Sequence, residues 1–358
     1  MESSFKLKDK LGTKKSISLI MVLIIILIIS SIASIAFGAV NIKVSEIVKI
    51  LLHNIFGINF SNMKGIASGS SYEIVWNLRF PRILLAIAVG GGLSIVGVVM
   101  QAMVQNPMAD PYILGISSGA SLGATISIML GVGIYLGTNA VGICGFIGAL
   151  VCSFFVYLLS SIGGRVSSVK LVLSGLIIGS ICSSFTSFVI YVSDNVEGMR
   201  SLQFWLMGSI AGASWKNIGF PSIIFIVGFL FFFFQFRVLN TMLMGDEHAT
   251  TLGIDLNKYR KLYMIITSLI TGVLVYSAGM IGFVGLVIPH IVRSVVGCDH
   301  RKLLPTSALI GAIFMLWTDV IARSITQSEL PIGIITSMVG APVFMYLMIK
   351  KTYGFGGK

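Results

Sequence analysis

The amino-acid sequence predicts an all-α membrane protein with about ten transmembrane helices. Two numbers indicate this fold class: 56% of the 358 residues are hydrophobic, and the mean hydropathy is +0.97. Charged residues make up only 11% of the chain, against about 25% in a typical soluble domain. So few polar groups cannot cover a water-facing body of this size. The chain is therefore expected to be integral to a membrane.

Ten apolar runs approach the length that a membrane helix needs, which is about 20 mostly apolar residues. The first run follows a basic segment, as a secretory signal does, but it exceeds the usual apolar core of about 7–15 residues. We interpret it as an uncleaved first helix. Several of the later runs are short enough to be broken or tilted. The runs are 17–40, 82–104, 113–135, 140–162, 171–192, 217–238, 262–280, 281–297, 306–322 and 332–349.

The basic residues orient these spans. An even number of spans puts both termini on one side, and a cytoplasmic assignment of that side places 17 of the 25 Lys and Arg residues there. This bias follows the positive-inside rule. The net charge of +12 is therefore a topology signal and does not indicate a nucleic-acid-binding face. The expected organisation is a basic cytoplasmic tail (1–15), one transmembrane domain (16–350) and a second cytoplasmic tail (351–358).

Small residues indicate close helix packing. Gly115, Gly119 and Gly123 recur at a spacing of four, as do Gly175 and Gly179, and small residues at that spacing let membrane helices approach each other. A glycine-lined substrate path is the alternative. The four cysteines lack metal-ligand spacing and lie in or beside apolar runs, so they are expected to pack as small apolar side chains.

The first polar feature, Arg79-Phe80-Pro81-Arg82, stands at the outer mouth of the second span. Pro81 suits the opening turn of a helix, where its missing N–H costs nothing. The two arginines either anchor the helix at the lipid headgroups or form a docking point for an acidic partner. Arginine suits the second role because it presents a planar, always-charged fork to carboxylates.

The second polar feature, residues 101–120, contains two prolines four positions apart, with Asn106 and Asp110 between apolar runs. It cannot form one continuous helix. Irregular polar backbone at membrane depth is tolerated only where protein buries it or water reaches it. The segment is either a tight cytoplasmic turn or a gating loop that lines a pore.

The third polar feature is the longest cytoplasmic loop, 243–261, which carries ordered helix signals. Asp246 is the predicted N-cap, Glu247 lies in the favourable first turn, and Gly253 is placed to end the helix. A second short helix is predicted to start near Asp255. Because a solvated loop would not need such signals, we interpret this helix–turn–helix as a contact for a partner.

The fourth polar feature runs from residue 279 to residue 301, where Pro289 interrupts an apolar run just before His290. A lone histidine with no second ligand four residues away does not make a metal site. Further on, Asp319 and Arg323 share a helix face at i, i+4, the spacing of an ion pair. A transport role is the alternative for these two, because charges inside a membrane often mark a pathway.

Absent motifs exclude several classes of activity. The sequence contains no G-x-x-x-x-G-K-[ST], so the chain is not expected to hydrolyse nucleotide by itself. It also contains neither H-E-x-x-H nor G-x-S-x-G, which argues against an intramembrane protease or lipase. An ion-gradient-driven secondary transporter would need acidic residues within the spans, and Asp319 is its main candidate.

Five segments, in this order, resemble the FecCD family of permease subunits, the membrane halves of bacterial type II ABC importers for iron–siderophore complexes, haem and vitamin B12. The segments are RFPR, GVVMQAMVQNPMADPYILGISSGA, LMGDEHATTLGI, GFVGLVIPHIVR with DHRKLLP, and ELPIGIITSMVGAPVF. The resemblance extends from Arg79 to about Lys350. It implies a vitamin B12 importer permease-like bundle of ten helices in the bacterial plasma membrane, with both termini cytoplasmic. Helices two to five and seven to ten would form an inverted repeat.

The resemblance also implies partners and site residues. The permease is expected to pair with a second permease subunit, a homodimer being the simplest case, above two ATPase subunits that bind ATP and Mg and below an extracytoplasmic substrate-binding protein. It would itself hold no catalytic residue, metal or cofactor. The residues implied in ATPase coupling are Gly245, Asp246, Glu247, Ala249, Leu252 and Gly253; those in binding-protein docking are Arg79, Arg82 and Arg323; and those in the cytoplasmic gate are Asn106, Met108, Ser167 and Ser168.

The predicted function is therefore import through a weakly binding path, with energy supplied by the partner subunits. Family members with nearly the same motifs carry catecholate or hydroxamate siderophores, haem or cobalamin, because specificity lies mainly in the binding protein. An iron complex is favoured here over cobalamin only because iron importers are the more numerous members of the family.

Overall fold

The computed structural model describes residues 12–38, 40–58, 69–110, 115–162, 167–325 and 329–350. Within these ranges the chain forms helices joined by turns, without strands. A helix satisfies every backbone N–H and C=O group inside its own segment, as hydrocarbon surroundings require. Of the predicted cytoplasmic tails, residues 1–11 and 351–358 lie outside the described residues. The first helix begins at Thr13, so Lys14 and Lys15 stand in its first turn.

The described helices are numbered here in chain order. A three-residue helical turn, Ser70–Tyr72, and a π-helix, Glu73–Arg79, lead directly into α3, and a 3-10 segment, Ile134–Asn139, precedes α5. The helices are α1 Thr13–Ala36, α2 Val44–Phe56, α3 Phe80–Val104, α4 Ile116–Leu130, α5 Ala140–Ser161, α6 Ser168–Ser193, α7 Val196–Met207, α8 Gly219–Phe234, α9 Phe236–Met244, α10 Asp246–Thr251, α11 Leu256–Ala278, α12 Val284–Val296, α13 His300–Ala322 and α14 Ile332–Lys350.

The predicted all-α membrane fold is confirmed. Six described helices are long and apolar enough to cross a membrane, α8 and α9 form a seventh span bent by 60°, and α4, α12 and α14 are shorter apolar helices. These ten positions coincide with the ten predicted runs. Two helices are shorter than the runs that predicted them, however: α4 has 15 residues within the run 113–135, and α12 has 13 residues within the run 281–297. Residues with positive φ flank both helices and stop them early.

Helix α3 forms the centre of the bundle. In the most apolar 18-residue stretch of the span that ends with α3, 89% of the residues are buried, whereas in that of α6 only 17% are buried. A helix that is apolar on all sides is normally an interior one. Glycines allow its neighbours to approach closely. A Cβ added to Gly90 would lie 2.2 Å from the carbonyl oxygen of Gly311, and one added to Gly97 would lie 1.8 Å from that of Gly285. Only glycine fits at these two crossings with α13 and α12.

The glycine series at spacing four also marks helix crossings. A Cβ on Gly119 would lie 2.4 Å from the carbonyl oxygen of Gly148, and one on Gly123 would lie 2.1 Å from that of Cys144. Helix α4 therefore packs directly against the backbone of α5, as the helix-packing interpretation predicts.

Two prolines in the sequence have different outcomes. Pro81 lies in the first turn of α3, as predicted, although a π-helix precedes it and the N–H of Phe80 bonds to the carbonyl of Val75. Pro289 does not interrupt its run, since α12 continues through it. The missing N–H leaves the carbonyl of Gly285 without its helical donor, and that carbonyl lies against Gly97.

The connections between helices gather at two opposite ends of the bundle. The loop end contains residues 105–110, 245–255 and 297–299. The arginine end contains residues 40–43, 131–139, 208–218, 279–283 and 323–325 together with Glu329. Hydrogen bonds join segments within each end, for example Gln105 to Met242 and Trp215 to Trp76. This alternation agrees with ten consecutive crossings. The cytoplasmic location of the loop end and of both termini remains a prediction.

Candidate functional sites at the two ends of the bundle

The short helix α10 is the most prominent feature of the loop end. Gly245, with φ of 95°, opens it, and Gly253, with φ of 75°, follows its last turn. The predicted helix and its glycine stop are therefore present. The predicted N-cap is wrong by one position: Gly245 is the N-cap, because the carboxylate of Asp246 is occupied by an arginine instead of by backbone N–H groups. The following helix starts after Asp255, as predicted, but it is the long α11 and not a short helix.

One ion pair holds α10 to α11. The guanidinium of Arg260 donates two hydrogen bonds to the carboxylate of Asp246, with Nη1–Oδ2 and Nη2–Oδ1 distances of 2.9 and 2.6 Å. Such fork-to-fork pairs are strong and directional. The Arg260 side chain is 2% exposed, whereas that of Asp246 is 53% exposed. The pair therefore fixes the orientation of a surface helix from a buried anchor.

Helix α10 divides the predicted coupling residues between two faces. Ala249 is fully buried against the bundle. Glu247 and His248 are exposed, and Leu252 is 61% exposed just after the last turn. An acidic residue in the first turn also complements the helix dipole. The surface that α10 offers to a partner includes the Glu247 carboxylate, the His248 imidazole and the apolar side chain of Leu252.

The base of this loop is joined to the end of α3. The side-chain amide of Gln105 donates a hydrogen bond of 2.8 Å to the carbonyl of Met242, in the last turn of α9. Gln105 ends α3 in the left-handed conformation, with φ of 53° and ψ of 32°, which is uncommon for a residue other than glycine. The predicted gate residue Asn106 follows immediately; its Oδ1 accepts a bond of 2.9 Å from the N–H of Met108.

A second connection joins α9 to the start of α13. The Nδ2 of Asn240 donates to Asp299 at 2.9 Å, and its Oδ1 accepts from the backbone N–H of His300 at 2.9 Å and from the His300 Nδ1 at 2.7 Å. Because an amide oxygen only accepts, Nδ1 of His300 carries a proton. Sequence reasoning missed this cluster, as it missed Arg260 and Gln105. Only Asp299 has a local signal, since it caps α13.

The other predicted gate residues begin α6. The Oγ of Ser167 caps the helix by accepting from the N–H of Lys170 at 3.3 Å, and the Oγ of Ser168 donates to the carbonyl of Met103 at 3.3 Å. Ser168 therefore contacts α3 at Met103, about one helical turn before Asn106 in the chain. Neighbouring residues 111–114 and 163–166 lie outside the described ranges. All four predicted gate residues lie at the loop end, and their role as a gate stays a prediction.

At the opposite end, two arginines cap the C-terminus of α1. Arg79 donates to the carbonyls of Ile35 and Val40, the latter at 2.7 Å, and Arg323 donates to the carbonyl and the hydroxyl of Ser34. The last carbonyls of a helix lack partners within the helix and carry the negative end of its dipole. Both guanidinium groups therefore stabilise the end of α1.

The third arginine joins three parts of the chain. The Nε of Arg82 in α3 lies 2.6 Å from Oδ1 of Asp319 in α13, and its Nη1 lies 2.8 Å from Oε2 of Glu329. The predicted i, i+4 pair is also present, with 3.2 Å between Oδ2 of Asp319 and Nε of Arg323. The side chain of Asp319 is 2% exposed and that of Glu329 is 45% exposed. Arg82 thus has one buried and one accessible carboxylate partner.

These three arginines border an open cavity of about 390 Å³, together with Glu329 and Gly38. Most of each guanidinium is engaged within the chain, and the predicted contact with a binding protein stays a prediction. Among the residues that the structure describes, no group of three or more His, Cys, Asp or Glu side chains is placed to hold a metal ion.

Much of the surface of helix α6 is uncovered, as is that of α1. Ser180, Ser184 and Ser187 form an exposed stripe along it, and each hydroxyl donates to the carbonyl four residues earlier at 2.8–3.1 Å. Beside the stripe lie large exposed apolar side chains, including Phe185 and Phe188. The helix therefore offers a polar but uncharged face next to an apolar one.

Comparison with known proteins places the chain among importers. The FecCD transport family matches residues 25–350. The cobalamin import system permease protein BtuC of Halobacterium salinarum is 41% identical over 275 residues, which cover 77% of this chain and 73% of the relative. YvrB of Bacillus subtilis, an ABC transporter permease protein, is 37% identical over 91% of both chains. A solved inward-facing metal-chelate type ABC transporter superposes with a TM-score of 0.80 at 30% identity, covering 93% of this chain and 99% of that chain.

Proposed function

Because this chain belongs to the FecCD transport family and is a permease subunit of a type II ABC importer, we propose that it forms the translocation path for a large metal-chelate complex. The proposed cargo is an iron complex (a siderophore or haem) or cobalamin, delivered by a substrate-binding protein across a bacterial plasma membrane. The relatives support this class of cargo, since one is a cobalamin importer and another is of metal-chelate type.

The exposed serine stripe of α6 is the observation that carries the proposal of a path. A face that meets only lipid gains nothing from hydroxyl groups, whereas a face that meets water or a passing complex does. Because each hydroxyl already donates within its own helix, the stripe offers weak acceptors and no charge. Such a surface lets a large complex pass without trapping it.

The uncovered surface of α6 also supports pairing with a second permease subunit. Phe185 and Phe188 are exposed beside the serine stripe, and small polar residues commonly line contacts between membrane helices. A homodimer would place two serine stripes around one central path and cover the adjacent apolar surface.

Two ATPase subunits, which bind ATP and Mg, are proposed to dock at α10. The exposed Glu247, His248 and Leu252 suit a groove on such a partner, and Arg260 anchors the helix from behind. A push on α10 would reach the gate segment at Asn106 through the bond between Gln105 and Met242. The permease itself contributes no step of ATP hydrolysis in this scheme.

The substrate-binding protein is proposed to dock at the arginine end. The cavity beside Arg79, Arg82 and Arg323 is open, and Glu329 is the accessible partner of Arg82. An acidic side chain from the binding protein would replace Glu329 at Arg82, while Asp319 keeps the arginine in place. This exchange needs no new buried charge.

The decisive experiment is purification of the tagged chain from its native membrane in mild detergent, followed by reconstitution of whatever co-purifies into liposomes. We expect an ATPase subunit in roughly equal amount and uptake that requires ATP. Cyanocobalamin, a ferric hydroxamate and haem are the three cargo probes, and uptake of only one of them identifies the substrate. Recovery without an ATPase, together with uptake driven by an ion gradient alone, would instead establish the secondary transporter.

A further inference from the structure

A cleft of about 710 Å³ lies at the arginine end between α5, α8 and α11, and none of the three arginines described above lines it. Its wall is apolar: Ile143, Phe146 and Ile147 come from the first two turns of α5, and Phe220 comes from the first turn of α8. Ile147 and Phe220 are each about half exposed. At about 1.5 Å of rise per residue, these side chains lie within roughly 10 Å of the helix ends, the depth of upper acyl chains.

The mouth of the cleft is polar, and the aromatic residues beside it indicate the level of the lipid headgroups. Trp215 donates from its ring N–H to the carbonyl of Trp76 at 2.8 Å, and the two rings pack 4.7 Å apart, with Phe80 also against Trp76. Clusters of tryptophan are typical of the membrane–water interface. Lys216 follows Trp215 directly and lines the mouth.

The mouth favours an anion. Lys216 is exposed and forms no ion pair with any residue that the structure describes. Tyr276 donates to the Oδ1 of Asn139 at 3.1 Å, and the NH₂ group of Asn139 is a second donor in the lining of the same cleft. The residues that line the cleft include no carboxylate. A phosphate group matches this set of donors, and a lysine can hold it while its own stem lies along apolar surface.

We propose that this cleft binds one anionic phospholipid of the phosphatidylglycerol type, independently of the proposed transport function. The phosphate is held by Lys216 with help from Asn139, and an acyl chain lies along Ile143, Phe146 and Phe220. A lipid is favoured over a protein partner for two reasons. The apolar side chains of Ile147 and Phe220 are half exposed on helices that cross the membrane. The apolar residues lie further along α5 than the polar mouth, so the order matches that of acyl chain and headgroup in a lipid.

Native mass spectrometry of the full chain tests the proposal. The delipidated protein is incubated with phosphatidylglycerol or phosphatidylcholine at equal concentration, and bound lipid is counted. We expect one preferentially retained phosphatidylglycerol, and Lys216→Gln should reduce that preference about fivefold, the effect of one basic residue near an anionic headgroup. Lys43→Gln, which changes another exposed lysine at the same end, should have no effect.

A larger side chain that occupies the apolar part of the cleft provides an independent test. Ile147→Trp should exclude the acyl chain and lower retention of both lipids, and a monodisperse elution profile shows that the variant has folded. Equal binding of the two lipids, or unchanged retention in Lys216→Gln, would overturn the proposal. A dimer that blocks lipid access to the cleft, seen as lipid binding only to the monomer, would also overturn it and would assign this face to a second copy of the chain.

Discussion

The arginine end and the loop end are held together by different kinds of contact. At the arginine end, Asp319 lies buried between Arg82 and Arg323, and arginines cap the end of α1. At the loop end, one hydrogen bond from Gln105 and three at Asn240 join the helices, with one ion pair whose carboxylate is half exposed. The first end is held by a carboxylate buried between two arginines, and the second mainly by hydrogen bonds, which separate at lower cost.

This difference suits the two proposed tasks. Removal of one partner from a buried ion pair costs about 3–5 kcal/mol, whereas a single neutral hydrogen bond contributes about 1 kcal/mol. The end that receives the binding protein would keep its shape, and the end that receives the ATPases would change its contacts during each cycle. Four substitutions, ordered from the largest expected effect to the smallest, test the comparison.

Asp319→Ala should cause the largest loss of stability. It leaves the guanidinium groups of Arg82 and Arg323 without their buried carboxylate, so we expect the free energy of unfolding to fall by about 3–5 kcal/mol. Unfolding in a denaturing-detergent titration measures this. Glu329→Gln is the matched control at the same arginine, and an equal loss in both variants would show that burial of the pair is unimportant.

Asp246→Ala should have the second largest effect, because the Arg260 side chain is 2% exposed and loses a two-bond partner. The expected loss is about 1.5–3 kcal/mol, the range for hydrogen bonds to charged groups. Arg260→Met should cost less, since water can solvate the carboxylate of Asp246 that remains. In reconstituted vesicles, both variants should hydrolyse ATP with little uptake. A larger loss of stability in Arg260→Met than in Asp246→Ala would contradict this account of the ion pair.

Gln105→Asn should have a smaller effect on stability, about 1 kcal/mol, and a clear effect on coupling. Asparagine tolerates the left-handed backbone of this position, but it is one carbon too short to reach the carbonyl of Met242. Uptake per ATP hydrolysed should fall about fivefold. Gln105→Gly keeps the backbone conformation and also lacks the bond, so it should behave in the same way. Normal coupling in both variants would remove this bond from the proposed route between α10 and the gate segment.

Glu329→Gln should have the smallest effect on stability, about 0–1 kcal/mol, because the Glu329 carboxylate is accessible to water and salt. Its informative consequence is on docking: the amide competes less well for Arg82, so the affinity for the binding protein should rise, and it should become more dependent on ionic strength because docking then forms an ion pair without breaking one. Surface plasmon resonance at two salt concentrations measures both. Weaker docking would show that Glu329 itself contacts the binding protein.

Much of the fold and part of the site could be predicted from local patterns. The apolar runs indicated ten helices, the helix signals located α10 and its glycine stop, and the i, i+4 spacing indicated the pair between Asp319 and Arg323. Local signals overestimated α4 and α12, because hydropathy continues past the positions where residues with positive φ end a helix. They also misjudged Pro289, since the carbonyl that the proline leaves without a donor, that of Gly285, lies against Gly97 on α3, 188 positions earlier in the chain.

The sequence by itself determined the membrane class, the positions of the ten apolar runs and the location of the short helix α10, because burial in lipid and helix capping depend on neighbouring residues. Only the tertiary structure decided that Arg82 meets Asp319, 237 positions away, that Gln105 meets Met242, 137 positions away, and that Arg79 caps α1, 44 positions earlier. These contacts depend on which helices cross and at what depth. Side-chain packing between distant segments sets that arrangement, and no local pattern records it.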